Sequence, residues 1–188
     1  MNKSSKIVLA ITGASGSIYA QRIIYYLEKY SEQFNDFDIV FSKNAQDVWL
    51  HELESNPKKE ISQKIYTPND FYAPFASGSA KYDAMIICPA SMGSIGRISN
   101  GISNDLISRA ADVMLKERKK LIIVARETPY NLIHLRNMTQ LTEAGAIILP
   151  ATPSFYSKPE NITELVDTVV LRALALLGID INGYKWGE

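Results

Sequence analysis

Short apolar runs, hydrophobic on both faces, recur along this chain, and segments with helical spacing stand between them. The runs cover residues 7–11, 38–41, 84–88, 121–125 and 146–149. A strand with one wet face alternates apolar and polar residues. A strand that is apolar throughout must be covered on both sides, as in a parallel sheet flanked by helices. Helical spacing falls at 18–30, 45–53, 105–117, 132–144 and 162–177. Gly145 and Gly178 stand where glycines end helices, and Asn104 and Asn161 where side chains cap their starts. The alternation predicts a three-layer, doubly wound α/β architecture with a mostly parallel sheet. At 188 residues the chain is read as one domain, 1–188, large enough to bury about 70% of its unfolded surface. Segment 55–79, with Pro57, Pro68, Pro74 and Gly78, reads as a functional loop region.

Composition removes several classes of partner. Twenty Lys and Arg balance twenty Asp and Glu, so no basic surplus calls for nucleic acid or anionic lipid. Cys88 is the single cysteine, which excludes an internal disulfide and fits a reducing compartment. The first apolar run is too short for a secretory leader, and no run approaches a membrane span. A cytoplasmic location is expected. His51 and His134 match no metal spacing, so no metal is assigned. No histidine or lysine adjoins Cys88 to lower its pKa, and a buried core thiol is expected.

The chemistry-bearing residues gather after the runs. The first run leads into T-G-A-S-G-S and a helix. Glycines permit a tight turn, and a helix start offers N–H groups and positive potential to a phosphate. The pattern is not G-x-G-x-x-G, and Ser42-Lys43 rather than an acidic residue ends the second run. A nicotinamide dinucleotide is therefore disfavoured and a mononucleotide such as a flavin is left. A plain turn with glycine used for geometry is the alternative. The third run ends C-P-A-S-M-G-S, placing Ser91, Gly93 and Ser94 beside the first loop.

Residues 109–126 carry the densest charge. Arg109, Asp112 and Lys116 lie three and seven positions apart and share one helix face. Arg126 and Glu127 follow a buried-looking run directly, at the edge where open α/β sheets bind ligands. Such residues suggest an anion site with acid/base help, against the alternative of a surface salt-bridge network. Phe155 and Tyr156 follow the fifth run. Arg172 sits at the margin of an apolar helical stripe, where it either meets an acid, a phosphate or another subunit, or snorkels to solvent.

The motifs I-T-G-A-S-G, F-S-K-N-A-Q, A-P-F-A-S-G-S, I-C-P-A-S-M-G-S, R-A-A-D-V-M-L-K-E-R, V-A-R-E-T-P, H-L-R-N-M, G-A-I-I-L-P and F-Y-S-K-P occur in that order. Together they closely resemble the UbiX-type flavin prenyltransferases over nearly the full chain. The resemblance implies a Rossmann-like or flavodoxin-like fold and flavin sites at the interfaces of a homo-oligomer, typically a dodecamer. It implies transfer of a dimethylallyl group to reduced FMN, giving the prenylated flavin used by UbiD-type decarboxylases. Gly13, Ala14, Ser15, Ser42, Ser91, Met92, Gly93, Ser94 and Arg126 match the family's FMN-binding positions. Arg109, Lys116, Arg126, Glu127, Tyr156 and Arg172 match those around the prenyl phosphate. Ser15, Glu52 and Glu127 match polar residues tied to the chemistry, and Lys116 is counted with them as catalytic. Phe71 replaces a common family tryptophan but keeps an aromatic face for the prenyl group, and Ala90 replaces a frequent second cysteine.

The residues suit this chemistry. Departure of phosphate is the difficult event, and Arg109, Lys116, Arg126 and Arg172 can stabilise the developing charge. The chain has no Asp-Asp dipeptide of the kind that holds Mg²⁺ in pyrophosphate prenyltransferases. A metal-free pocket and dimethylallyl monophosphate are therefore expected. Phe71, Tyr156 and Trp186 are candidates to face an allylic cation. Glu127, and after it Glu52, are candidates to move the proton lost from the flavin. Three rivals stand beside this reading. One is a sister flavoprotein that decarboxylates peptidyl cysteine, whose P-x-M-N-x-x-M-W signature is absent here. The others are an accessory subunit of an aromatic-acid decarboxylase and a non-catalytic FMN carrier.

Overall fold

The computed structural model describes residues 5–181, 183 and 187. Six strands form one sheet in which every pairing is parallel: β1 (Lys6–Ile11), β2 (Asp36–Phe41), β3 (Ile65–Tyr66), β4 (Ala84–Ala90), β5 (Lys120–Ala125) and β6 (Ile147–Pro150). Their order across the sheet is β3-β2-β1-β4-β5-β6. The helices are α1 (Ser17–Lys29), α2 (Ala45–Leu53), α3 (Pro57–Glu60), α4 (Met92–Ser99), α5 (Leu106–Lys116), α6 (Leu132–Glu143) and α7 (Ile162–Leu177).

Side chains alternate across the sheet, and two separate cores result. Ile7, Leu9 and Ile11 join the apolar faces of α1, α2 and α7, with Trp49 buried among them. Val8 and Ala10 point the other way, onto α4, α5 and α6. Each fully buried Ile, Leu or Val contributes about 1.5–3 kcal/mol, which makes the sheet a rigid platform for the loops at its carboxyl edge. The three-layer, doubly wound expectation holds.

Differences from the sequence reading are local. β3 lies inside the proline-rich 55–79 segment, where two residues suffice to pair with Ile39 and Val40. α5 is capped by Asp105 rather than Asn104: the Asp105 carboxylate accepts the Ser108 amide at 2.7 Å. Asn161 caps α7 as expected, accepting from the Glu164 amide at 2.9 Å. Gly145 and Gly178 both adopt positive φ after their helices. Cys88 is a core residue, and burial pushes its thiol pKa well up.

Candidate functional site

Strand order places the crevice. The connection from β1 leads to β2 on one side, while β4 continues to β5 on the other, so the chain diverges between the carboxyl ends of β1 and β4. Open α/β sheets bind ligands at such a divergence. Here the two ends are tied together. The Thr12 amide and hydroxyl both donate to the Pro89 carbonyl, at 3.3 and 2.6 Å, and the same hydroxyl accepts the Ser91 amide at 2.8 Å. Pro89 lies where the β4–β5 register slips, between Ile87 and Ala90.

Two glycines shape the first loop. A side chain at Gly13 would start 3.0 Å from Cβ of Asn44, in the loop after β2. Gly16 has φ +109°, and a side chain there would meet the Tyr19 ring at 2.9 Å. Between them Ala14 is buried and Ser15 is exposed. Ser42 is half-buried beside this loop and donates its amide to Ile11 at 2.9 Å.

At the first loop an internal anion meets the start of α1. Glu52, on α2, closes over it, and its carboxylate accepts the amides of Gly16 at 2.9 Å and Ser17 at 2.7 Å. Those two N–H groups are therefore paired within the chain. Burial alone would push the Glu52 carboxyl up, but hydrogen bonds from the Ser15 side chain and from the Ser17 and Gly16 amides outweigh it and hold the pKa below the ordinary value.

α4 offers what α1 does not. A helix start leaves about four donors without intrahelical partners. Of those at α4, the Ser91 amide is taken by Thr12 and the Ser94 amide by the Ser91 hydroxyl at 3.3 Å. The Met92 and Gly93 amides remain. Arg126 stands on the neighbouring strand end, its amide donating to Ala90 at 3.1 Å. Among the described residues, two buried side-chain nitrogens or oxygens lack a partner: Nε of Arg126 and Nε of Arg97. Both flank the α4 start. Orphaned guanidinium donors beside two free amides fit a phosphate group, which suits the FMN-binding role expected of Ser91, Met92, Gly93, Ser94 and Arg126.

Thr12 and Arg97 were missed in the sequence reading. Thr12 belongs to no recognisable pattern until its two partners are seen. Arg97 could have been found from its spacing, three residues after Ser94 and six after Ser91 on one helix.

The prenyl-phosphate residues are carried by several elements of the chain. Glu127 lies next to Arg126 at the carboxyl edge, its side chain accepting the Thr128 amide at 3.0 Å. Arg109 sits near the start of α5, bonded to the Ala76 carbonyl at 3.0 Å and to Asp112 at 3.2 Å. α5 leads back to the beginning of β5, so Lys116, at its far end, is paired with Glu117 near the amino edge of the sheet. Seven residues of helix separate Arg109 from Lys116 by about 10 Å. Shared face and shared site thus come apart. Tyr156 and Arg172 are brought together on a cavity of about 1050 Å³ between α7 and the segment after β6, whose lining includes Pro150, the register partner of Ala125. Phe71 is exposed in the turn beyond β3. Trp186 lies outside the described residues. No group of three or more His, Cys, Asp or Glu that could hold a metal ion occurs among the described residues. No helix among them is long and apolar enough to cross a membrane.

A parallel sheet with its polar loops and unpaired donors at the central divergence defines a mononucleotide-binding α/β protein. The flavoprotein family pattern matches residues 1–174, and the chain belongs to this family, within its UbiX-type flavin prenyltransferase group. It is 44% identical to the flavin prenyltransferase UbiX of Methanocaldococcus jannaschii, over 97% of this chain and 98% of that one. The crystal structure of AnUbiX (PadA1) in complex with FMN and dimethylallyl pyrophosphate superposes with a TM-score of 0.89 at 39% identity, covering 97% of this chain and all of that chain. A dodecameric FMN-dependent UbiX-like decarboxylase from Escherichia coli O157:H7 gives a TM-score of 0.91 at 33% identity, over 97% and 100% of the two chains.

Proposed function

We propose that residues 1–188 form a single flavin-binding domain that joins the dimethylallyl group of dimethylallyl monophosphate to N5 and C6 of reduced FMN. The observation that carries this reading is the α4 start, where two free amides and the orphaned Arg126 Nε face a position suited to the flavin phosphate. Reduced FMN, when bound, supplies the nucleophile. The chain binds, orients and moves protons. Ser91 and Ser94 hold the phosphate end, with Gly13, Ala14, Ser15 and Ser42 lining the neighbouring loops. Ser15, exposed and hydrogen-bonded to Glu52, has its hydroxyl oriented by a carboxylate that stays ionised. Glu127 takes the proton lost on alkylation, and Arg109, Arg126, Lys116 and Arg172 stabilise the departing phosphate.

Because Lys116 sits at the far end of α5 from Arg109, we propose that the prenyl-phosphate pocket is completed between copies of a homo-oligomer. The dodecameric relative supports this reading. The product would serve a UbiD-type decarboxylase, and the single core cysteine and soluble substrates favour a cytoplasmic setting.

The test is mass spectrometry of the flavin after anaerobic incubation with dithionite-reduced FMN and either dimethylallyl monophosphate or pyrophosphate. The expected product is a flavin heavier by one C5H8 unit, with the monophosphate preferred. An unchanged flavin with both donors overturns the proposal in favour of a non-catalytic FMN carrier.

A further inference from the structure

Arg97 has a guanidinium with too few partners for its position. It sits in the last turn of α4, and its side chain runs back toward the helix start, as long helical side chains do. Nη2 donates to the Ser94 hydroxyl at 3.2 Å. Nη1 lies 3.7 Å from where a side chain on Gly93 would begin. Nε is buried with no partner. The nearest carboxylate, Asp105, caps α5 through Oδ1, which accepts the Ser108 amide and hydroxyl, both at 2.7 Å, and turns Oδ2 to Arg97 Nη2 only at 3.8 Å. One neutral hydroxyl and one carboxylate oxygen at long range engage few of the five guanidinium donors.

The group lies over the bare Cα of Gly93, beside the free Met92 and Gly93 amides. Arg126, with its own orphaned Nε, stands at the adjacent strand end. A guanidinium over two free amides, with a second arginine on the neighbouring strand end, suits an anion with several oxygens and two charges, as in a phosphate monoester. We propose that Arg97 is a phosphate-binding residue of the flavin site, supplying with Arg126 the second guanidinium to the phosphate of FMN at the start of α4. This rests on the FMN reading above.

Riboflavin, which lacks the phosphate, separates the possibilities. Affinities of the purified protein for FMN and riboflavin are measured by flavin fluorescence quenching, for the wild type and for Arg97→Gln and Arg97→Lys, with thermal melting to confirm folding. Loss of a charge-assisted contact weakens FMN binding on the order of tenfold to a hundredfold. The expected result is that loss in Arg97→Gln with riboflavin affinity unchanged, and partial recovery in Arg97→Lys. Equal losses for both flavins would make Arg97 a structural residue and overturn the proposal. Unchanged FMN affinity with a raised KM for the prenyl donor would assign the guanidinium to the prenyl phosphate and overturn it equally. A wild type that binds neither flavin would defeat the FMN reading itself, a different failure.

Discussion

The carboxylate of Glu52 accepts the amide of Ser17 at 2.7 Å, joining α2 to the first turn of α1 with an internal anion. An anion at a helix start is favoured by the unpaired N–H groups and the helix dipole. Glu52→Gln keeps the shape and removes the charge, so we expect a loss of about 1 kcal/mol near neutral pH. The folded-state pKa lies below the ordinary 4.5, so this stabilisation is fully present above that value and is lost as pH falls through the folded pKa. Urea unfolding at descending pH should show the wild-type advantage over Glu52→Gln shrinking below about pH 4.5. A constant difference would show that the charge is not what matters.

Arg22 and Asp167 make a second prediction. The guanidinium meets the carboxylate twice, at 2.8 and 2.7 Å, and the Tyr26 hydroxyl donates to the same carboxylate at 2.8 Å. Only 12% of the Asp167 side chain is exposed. Asp167→Leu strands a half-buried cation and should cost about 2–3 kcal/mol. Adding Arg22→Met removes the stranded charge, so the double variant should lose less than the sum of the single ones in chemical denaturation.

Arg126→Ala should weaken FMN binding at least tenfold, since it removes a charged donor from the phosphate end. Titration with FMN checks this, and retained affinity would place the flavin phosphate away from α4.

Lys116→Ala and Glu127→Gln should each abolish prenylated product while FMN is still retained. If the pocket is shared between copies, co-assembly of the two variants should restore activity, to about a quarter of wild type under random pairing. Product formation by co-expressed, mixed oligomers measures it. Mixed oligomers as inactive as either parent would place Lys116 and Glu127 in the same copy's site.

How much of this was legible in the sequence depends on the distance over which each pattern acts. Apolar runs located β1, β2, β4, β5 and β6, because covering both faces leaves a one-dimensional trace. β3 left none, since its two residues borrow their pairing from Ile39 and Val40. α4, after C-P-A-S-M-G-S, left no bounded helical span in the sequence, its two glycines weakening the helical signal. Glycine at positions 13 and 16 correctly marked a close approach but not the partner of the Gly16 and Ser17 amides, because Glu52 is far away in sequence. Periodicity put Arg109 and Lys116 on one face, which is true of the helix. It could not say that seven residues along α5 carry Lys116 toward the opposite edge of the sheet.

Thr12 has a consequence for how flavin is acquired. Its hydroxyl donates a hydrogen bond to the Pro89 carbonyl and accepts one from the Ser91 amide, which fixes the span between the two central strands from inside the protein. The receptacle is cut by the folded chain itself. Flavin-free protein should therefore already hold the α4 start in its receiving geometry, and loading should resemble a plug entering a finished socket.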